Sequence, residues 1–371
     1  MKNDLKALRF IKKNAVFCIA ALAALITCFF VPPDKAYLDY FDWKTLSCLF
    51  LTLAVICALR NILFFTILAR KLVTIAGNLR SLFLLLITIT FIGSMIIAND
   101  MALITFLPLG YFALSVVKQE KYMAYLFVLQ NISANLGGML TPFGNPQNLY
   151  LYSYFNIPNG EFMGIMLPAF LIAVALLVIA CIPLKPIKFS IDKKFGEKLN
   201  VKKTVLYLVL FFFSILIVFR VIPFVLGLIL IPLILVFADW RSLKMVDYGL
   251  LGTFFFFFIF AGNLSRIEAV NHLISSLLQK DTLLVSVLTC QFISNVPSAI
   301  LLSRFTGDYA ALLLGVNIGG TGTLIASLAS LITFNEFKIL HPEQTKKYIC
   351  IFTAANAAFL VILTVAAKLF L

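Results

Sequence analysis

Continuous apolar runs of about 20 residues, long enough to cross a bilayer core of roughly 30 Å as a helix, recur over residues 10–31, 162–184, 204–219 and 348–371. Shorter runs of the same kind occupy 45–59, 221–238 and 248–262. Polarity nowhere alternates over ten-residue stretches as in an outer-membrane barrel, so the pattern predicts an all-α polytopic membrane protein. The first run follows Lys12 and Lys13 and has no small-residue cleavage site before Pro32-Pro33. It reads as a retained span, with Met1 in the mature chain, and not as a signal peptide.

Two regions depart from simple spans in the same way. Residues 81–98 and 101–117 are apolar around Asn99-Asp100; one span of that length would be too long, so the region predicts a helical hairpin with Asn99-Asp100 at its tip. Residues 122–155 then predict one crossing, interrupted at Gly137-Gly138 and by Thr141-Pro142-Phe143-Gly144-Asn145-Pro146-Gln147-Asn148, since proline cannot donate a helix bond and glycine loosens the backbone. In the second half, 282–304 form a hairpin with the tip Asn295-Val296-Pro297. A crossing over 309–336 follows, broken at Gly319-Gly320 and Thr321-Gly322-Thr323. Residues 61–76 and 263–279 have mixed polarity and predict amphipathic helices at the interface.

Shifting the chain on itself by 182 positions aligns residues 135–149 with 317–331, with Asn, Gly, Gly, Thr and Leu coinciding. An odd number of crossings separates the hairpins, so they enter from opposite faces and the halves form an inverted-topology repeat with two hairpins and two discontinuous transmembrane helices. The expected organisation is an N-terminal span and loop over 1–44; a first repeat over 45–184, with hairpin 81–117 and broken span 122–155; a basic cytoplasmic loop over 185–203; and a second repeat over 204–371, with hairpin 282–304 and broken span 309–336.

Composition agrees: 62% of residues are hydrophobic and 12% charged, against about 25% charged in soluble domains, which excludes a soluble globular enzyme. The net charge of +14 records topology and not a nucleic-acid partner. With the N-terminus cytoplasmic, only Lys35, Lys44, Arg220, Arg266, Lys280, Arg304 and Lys368 fall outside, and loop 185–203 carries seven lysines against Asp192 and Glu197. The seven cysteines lack CxxC spacing, His272 and His341 sit apart, and no phosphate-binding loop is present. No disulfide, resident metal, cofactor, catalytic cluster or ATP drive is expected.

A helix broken in mid-membrane leaves backbone groups unpaired, which is tolerated only where they face a cavity or ligand. Helix N-termini suit an anion there; unwound carbonyls and Asn or Ser oxygens suit a sodium ion. Asp100 is the one acidic residue placed deep in the membrane, where an ionisable group costs at least about 2.5 kcal/mol. It is a candidate to bind sodium, carry a coupled proton or repel anions until neutralised; the plainer reading is a protonated or arginine-paired structural aspartate. Asn99 and Asn295 are ligand candidates or helix caps, Gly137-Gly138 and Gly319-Gly320 close-packing positions, and Thr141 and Thr323 either ligands or partners of their own helix backbone. Phe254 to Phe258 read as lipid-facing packing.

At Ala98-Asn99-Asp100, residues 141–148, Ser294-Asn295-Val296-Pro297-Ser298 and Asn317-Ile318-Gly319-Gly320 with Thr323, the chain resembles the ion transporter superfamily of divalent anion:sodium symporters, citrate permeases, arsenite-efflux permeases and some sodium/proton antiporters. The resemblance spans about 45–371. It implies alternating-access secondary transport of a small anion, a di- or tricarboxylate, coupled to sodium or protons, by a homodimer in the inner or plasma membrane bilayer. It implies one cation site from Asn99 and Asp100 with the Gly144 carbonyl and another from Asn295 with the Ala326 carbonyl. Substrate would meet Thr141, Asn145, Asn148, Ser294, Ser298, Thr323 and Ser327. The Asn-Asp tip is closer to the arsenite branch, and Gly144-Asn145-Pro146-Gln147-Asn148 to permeases for citrate-type anions; arsenite or antimonite efflux and sodium/proton antiport stay open on the same scaffold, and a channel is a further alternative.

Overall fold

The structure is a computed structural model that describes residues 15–189 and 199–371. Residues 1–14, expected on the cytoplasmic side, and residues 190–198 of the basic loop lie outside the described residues. Among the described residues there are helices and no strand, save an isolated bridge between Asn78 and Lys188. Eight of the helices are long and apolar enough to cross a membrane.

Polar residues start the helices where the apolar runs begin. Asp42, Asn78, Asn200, Asp247, Asp281 and Asp308 each accept a backbone N–H of the first turn, and Asn78 completes a capping box with Ser81. The first span is described over Ala15–Phe30, followed by Trp43–Asn61 and the short amphipathic Phe64–Val73. The first hairpin is Leu79–Ile97 and Asn99–Val116, and the first broken span is Met123–Gly137 and Pro146–Tyr154. Asn159–Cys181, Val201–Val218, Phe224–Lys244 and Tyr248–Arg266 follow. Amphipathic Glu268–Lys280 leads to the second hairpin, Thr282–Ile293 and Asn295–Leu302, the second broken span, Tyr309–Gly319 and Leu328–Leu340, and the last span, Thr345–Phe370.

Contacts between distant segments sort into two ends. At one, Arg80 donates to the Leu184 and Ile182 carbonyls at 3.0 and 2.7 Å, Leu79 N–H to Ile187, and the Tyr125 hydroxyl to the Ala180 carbonyl. The open end of the first hairpin lies here. At the other, Arg266 pairs with Asp34 at 2.6 Å, Lys368 with Asp281, and Arg304 donates to the Tyr40 carbonyl. The open end of the second hairpin lies there.

Three details differ from the sequence reading. The chain turns at Ala98 and Ser294, one residue before the expected tips, so Asn99 and Asn295 open the returning helices. Helix Phe224–Lys244 runs past residue 238 but kinks at Asp239, whose carboxylate accepts from Asn61 at 2.9 Å. The phenylalanine run is not simply lipid-facing: helical period turns Phe254, Phe257 and Phe258 inward, where Phe258 meets Phe41 and Tyr150.

Glycine sets how closely the first hairpin meets the broken span. A Cβ on Gly137 would lie 2.3 Å from the Phe91 carbonyl oxygen, whereas one on Gly164 would meet nothing within 4 Å. Gly137→Ala is expected to destabilise the protein by about 1–3 kcal/mol through overpacking, and Gly164→Ala to be neutral. Thermal unfolding in detergent measures both, and equal melting points would remove this account of the contact.

Candidate functional site

Each broken span meets a hairpin tip through the same backbone geometry. Ala98 adopts φ 65°, ψ 151° and Ser294 φ 75°, ψ 161°, a left-handed conformation that a residue with a Cβ reaches only at a cost. The Asn99 side-chain oxygen then accepts Asp100 N–H, and that of Asn295 accepts Val296 N–H, both at 2.9 Å. After the breaks, Asn145 and Ser327 are extended, at φ −135° and −148°, and the chain re-enters a helix at Pro146 and Leu328. The Thr141 hydroxyl donates to the Met95 carbonyl at 2.8 Å, and that of Thr323 to the Gln291 carbonyl at 3.0 Å.

The two breaks are tied across each other. Asn145 Nδ2 donates to Asn317 Oδ1 at 3.2 Å, and Ser327 Oγ to Asn135 Oδ1 at 2.7 Å. In the 182-residue alignment Asn145 matches Ser327 and Asn317 matches Asn135, so one contact is the reciprocal of the other. Asn99 Nδ2 joins at Asn135 Oδ1, Gln147 at Asn317 Oδ1, and Asn317 Nδ2 donates to Asn148 Oδ1 at 2.6 Å. All of these side chains are buried. The atoms Asn145 Oδ1, Gln147 Oε1 and Asn135 Nδ2 have no hydrogen-bond partner in the protein, and such atoms cost about 1–3 kcal/mol each when left so.

The residues singled out from sequence divide into groups. Asn99, Asn145 and Ser327 come together in this network. Asn148 lies in it too, but its nitrogen reaches the Gly138, Met139 and Thr141 carbonyls and its oxygen accepts from Asn317, so both of its N–H donors are engaged within the protein. Thr141 and Thr323 tie the breaks to the hairpins. Ser298 bonds back to the Ser294 carbonyl of its own helix, and the Ala326 carbonyl accepts Asn295 N–H at 2.9 Å and the Ser294 hydroxyl at 3.3 Å. Gly138 and Gly320 supply room: a Cβ would fall 2.3 Å from Asn145 Oδ1 and 2.7 Å from the Gly144 carbonyl oxygen in the first case, and 3.0 Å from Asn295 Nδ2 in the second.

Asp100 points elsewhere. Its Oδ1 is buried without a partner, and the residue lines a cavity of about 60 Å³ with Thr52, Phe143, Pro146, Asp247 and Leu328. The cavity lies between the first hairpin, both breaks and helix Trp43–Asn61. Among the described residues no group of His, Cys, Asp and Glu could hold a transition metal. The sequence reading omitted Asn135, Asn317, Gln147 and Asp247 from the site; identity of Asn135 and Asn317 in the repeat alignment was the signal that could have found two of them.

Spans that break in mid-membrane around buried amides, inside a bundle of apolar helices, define the class of membrane transport proteins. The citrate transporter family model matches residues 7–312, and the chain belongs to that family, within the ion transporter superfamily. It is similar to an uncharacterized transporter of Methanocaldococcus jannaschii, 34% identical over 298 residues that make up 79% of this chain and 80% of the relative. It is also similar to inner membrane protein YbiR of Escherichia coli strain K12, 28% identical over 337 residues, 89% of each chain. The protein is a membrane transporter.

Asn317→Ala leaves Asn148 Oδ1 without its donor and Gln147 Nε2 without its acceptor, and takes from Asn145 Nδ2 one of its two acceptors, the other being the Asn135 carbonyl. It is expected to cost about 1–3 kcal/mol, and combining it with Asn145→Ala should cost less than the sum, because the two share one bond. A double-mutant cycle by thermal unfolding checks this; strict additivity would disprove the coupling.

Proposed function

We propose that the protein is a secondary transporter of a small anion, a di- or tricarboxylate, coupled to sodium or protons and working by alternating access. The observation that carries this reading is the reciprocal crossing of the breaks, Asn145 to Asn317 and Ser327 to Asn135, with unpartnered amide atoms beside it. Four helices start around it, at Asn99, Pro146, Asn295 and Leu328, and their N-termini favour negative charge. Asn145, Gln147 and Ser327 are the proposed substrate contacts, with Asn135 and Asn317 orienting them.

The coupling cation acts at the tips: at Asn99 and Asp100 with the Gly144 carbonyl, and at Asn295 with the Ala326 carbonyl. There it offsets the anion's charge, and each net positive charge entering contributes about 2.3 kcal/mol per 100 mV. The hairpins and broken spans move as a unit against the first span, Trp43–Asn61 and Tyr248–Arg266. The working form in this reading is a homodimer in the inner or plasma membrane, with the N-terminus in the cytoplasm and the two halves as an inverted repeat. Membership of the citrate transporter family supports a citrate-type substrate. A second reading, proton or sodium antiport or metalloid efflux, has one observation in its favour: Asp100 and Asp247 line the same cavity with no lysine or arginine.

Thermal stabilisation of the purified protein by citrate, succinate, sulfate and antimonite, each in sodium or choline at two pH values, separates these readings, because a ligand of the folded state raises the melting point. The expected result is a cation-dependent rise with one carboxylate; a response to sodium or pH alone would replace symport by antiport. In proteoliposomes, Asn295→Ala is expected to abolish coupled uptake while the protein stays folded. Asp100→Asn is expected to change the sodium or pH dependence of uptake, and an unchanged profile would leave Asp100 without a coupling role.

A further inference from the structure

At each break one side-chain amide nitrogen is ringed by three backbone carbonyls, all three from the break in the first case and two of the three in the second, the third belonging to the hairpin helix Thr282–Ile293. In the first break Asn148 Nδ2 lies 3.1, 3.1 and 3.2 Å from the carbonyl oxygens of Gly138, Met139 and Thr141. In the second, Gln291 Nε2 lies 2.9, 3.2 and 3.0 Å from those of Gly319, Thr321 and Val287. The amide oxygens are fixed as well: Asn148 Oδ1 accepts from Asn317 Nδ2, and Gln291 Oε1 accepts Thr323 N–H at 2.9 Å. Flipping either amide would face its oxygen to three carbonyls, so the surroundings determine which atom is nitrogen. Gly322, at φ 118°, lets the backbone come this close to Gln291, since a Cβ there would lie 2.2 Å from Oε1.

The two amides do not come from equivalent positions. Asn148 lies on the helix after its break and aligns with Ser330; Gln291 lies in the hairpin before its tip and, counted from Asn99 and Asn295, corresponds to Met95. Each half thus has one amide and lacks the other, yet the aligned carbonyls of Met139 and Thr321 receive an amide N–H in both. Unwound carbonyls at a broken membrane helix need donors or a cation. An amide N–H pair meets that need without net charge.

We infer that Asn148 and Gln291 are positioning residues, each holding a neutral amide nitrogen where an interrupted helix would otherwise gather a cation, so that both breaks keep their shape without a bound ion. This rests on the transporter reading and narrows it: the coupling cation acts at the hairpin tips, with the Gly144 and Ala326 carbonyls, and not at the carbonyls of Gly138, Met139 and Thr141 or of Gly319 and Thr321.

The test uses thermal unfolding of the full chain in detergent, in sodium and in choline at two pH values, with no substrate added, so its outcome does not depend on which anion is carried. Asn148→Ser is expected to lower the melting point by several degrees, and adding Met95→Gln together with Leu140→Gly, which supply an amide from the other side and the room that Gly322 gives Gln291, to restore it. Asn148→Asp is expected to make stability depend on sodium or on low pH in excess of any wild-type response, because a carboxylate among three carbonyls needs a cation or a proton. An Asn148→Ser protein as stable as wild type, or an Asn148→Asp protein with no added ion or pH response, would overturn the inference. Should the first-break variants not fold, Gln291→Met alone and with Ser330→Asn repeats the exchange at the second break, and absence of rescue there would equally overturn it.

Discussion

A peptide group without a hydrogen-bond partner costs several kcal/mol in hydrocarbon, and every feature of the centre of this protein follows from how that cost is met. The spans that surround the site meet it by remaining helical, Phe224–Lys244 up to its kink at Asp239. Two crossings do not, and their open carbonyls and amides need partners from outside the helix. Those partners are side-chain amides and hydroxyls, carried by Asn145 and Asn148 of the first break itself and by Gln291 and Ser294 of the second hairpin. Burial of so many asparagines and glutamines would be unfavourable alone; with the unwound backbone beside them, most of their donors and acceptors are used.

The same constraint explains why the halves are inseparable. Asn317 touches Asn145, Gln147 and Asn148 from the first half, and Asn135 receives Ser327 from the second. The positive-φ turns at Ala98 and Ser294 are held by packing against the breaks, with the Ala326 carbonyl bonded to both Ser294 and Asn295. Strain and unpaired atoms collect at the centre, while the periphery presents apolar side chains such as Ile229, Leu233 and Phe237 on helix Phe224–Lys244. Rigid apolar surroundings and a polar, under-bonded middle suit a membrane transporter, in which a solute must be held and then released.

The fold was legible because bilayer thickness converts directly into run length, and because Gly137-Gly138, Pro142 and Pro146 interrupt a run that would otherwise read as one helix. Asn99 and Asn295 stood out as polar residues in apolar company. The site was legible only in part. Sequence spacing marks a residue as inside the membrane but not which face it takes, so Asn148 and the two threonines read as substrate contacts although they close the break against its own surroundings. The inward turn of Phe254 and Phe258 was hidden for the same reason: five identical residues carry no periodicity. Asp247 caps helix Tyr248–Arg266, and its approach to the Asp100 cavity is a matter of tertiary packing.

Each hairpin follows a short helix with one apolar and one polar side, Phe64–Val73 before the first and Glu268–Lys280 before the second, with Leu68, Leu72, Leu273 and Leu277 exposed. Such helices lie at the level of lipid headgroups. A hairpin that travels along the membrane normal would pull its leading helix deeper or lift it outward, displacing lipid as it goes. Headgroup packing and leaflet tension would then enter the work of each cycle, so that the composition of the surrounding leaflet tunes turnover without touching the solute.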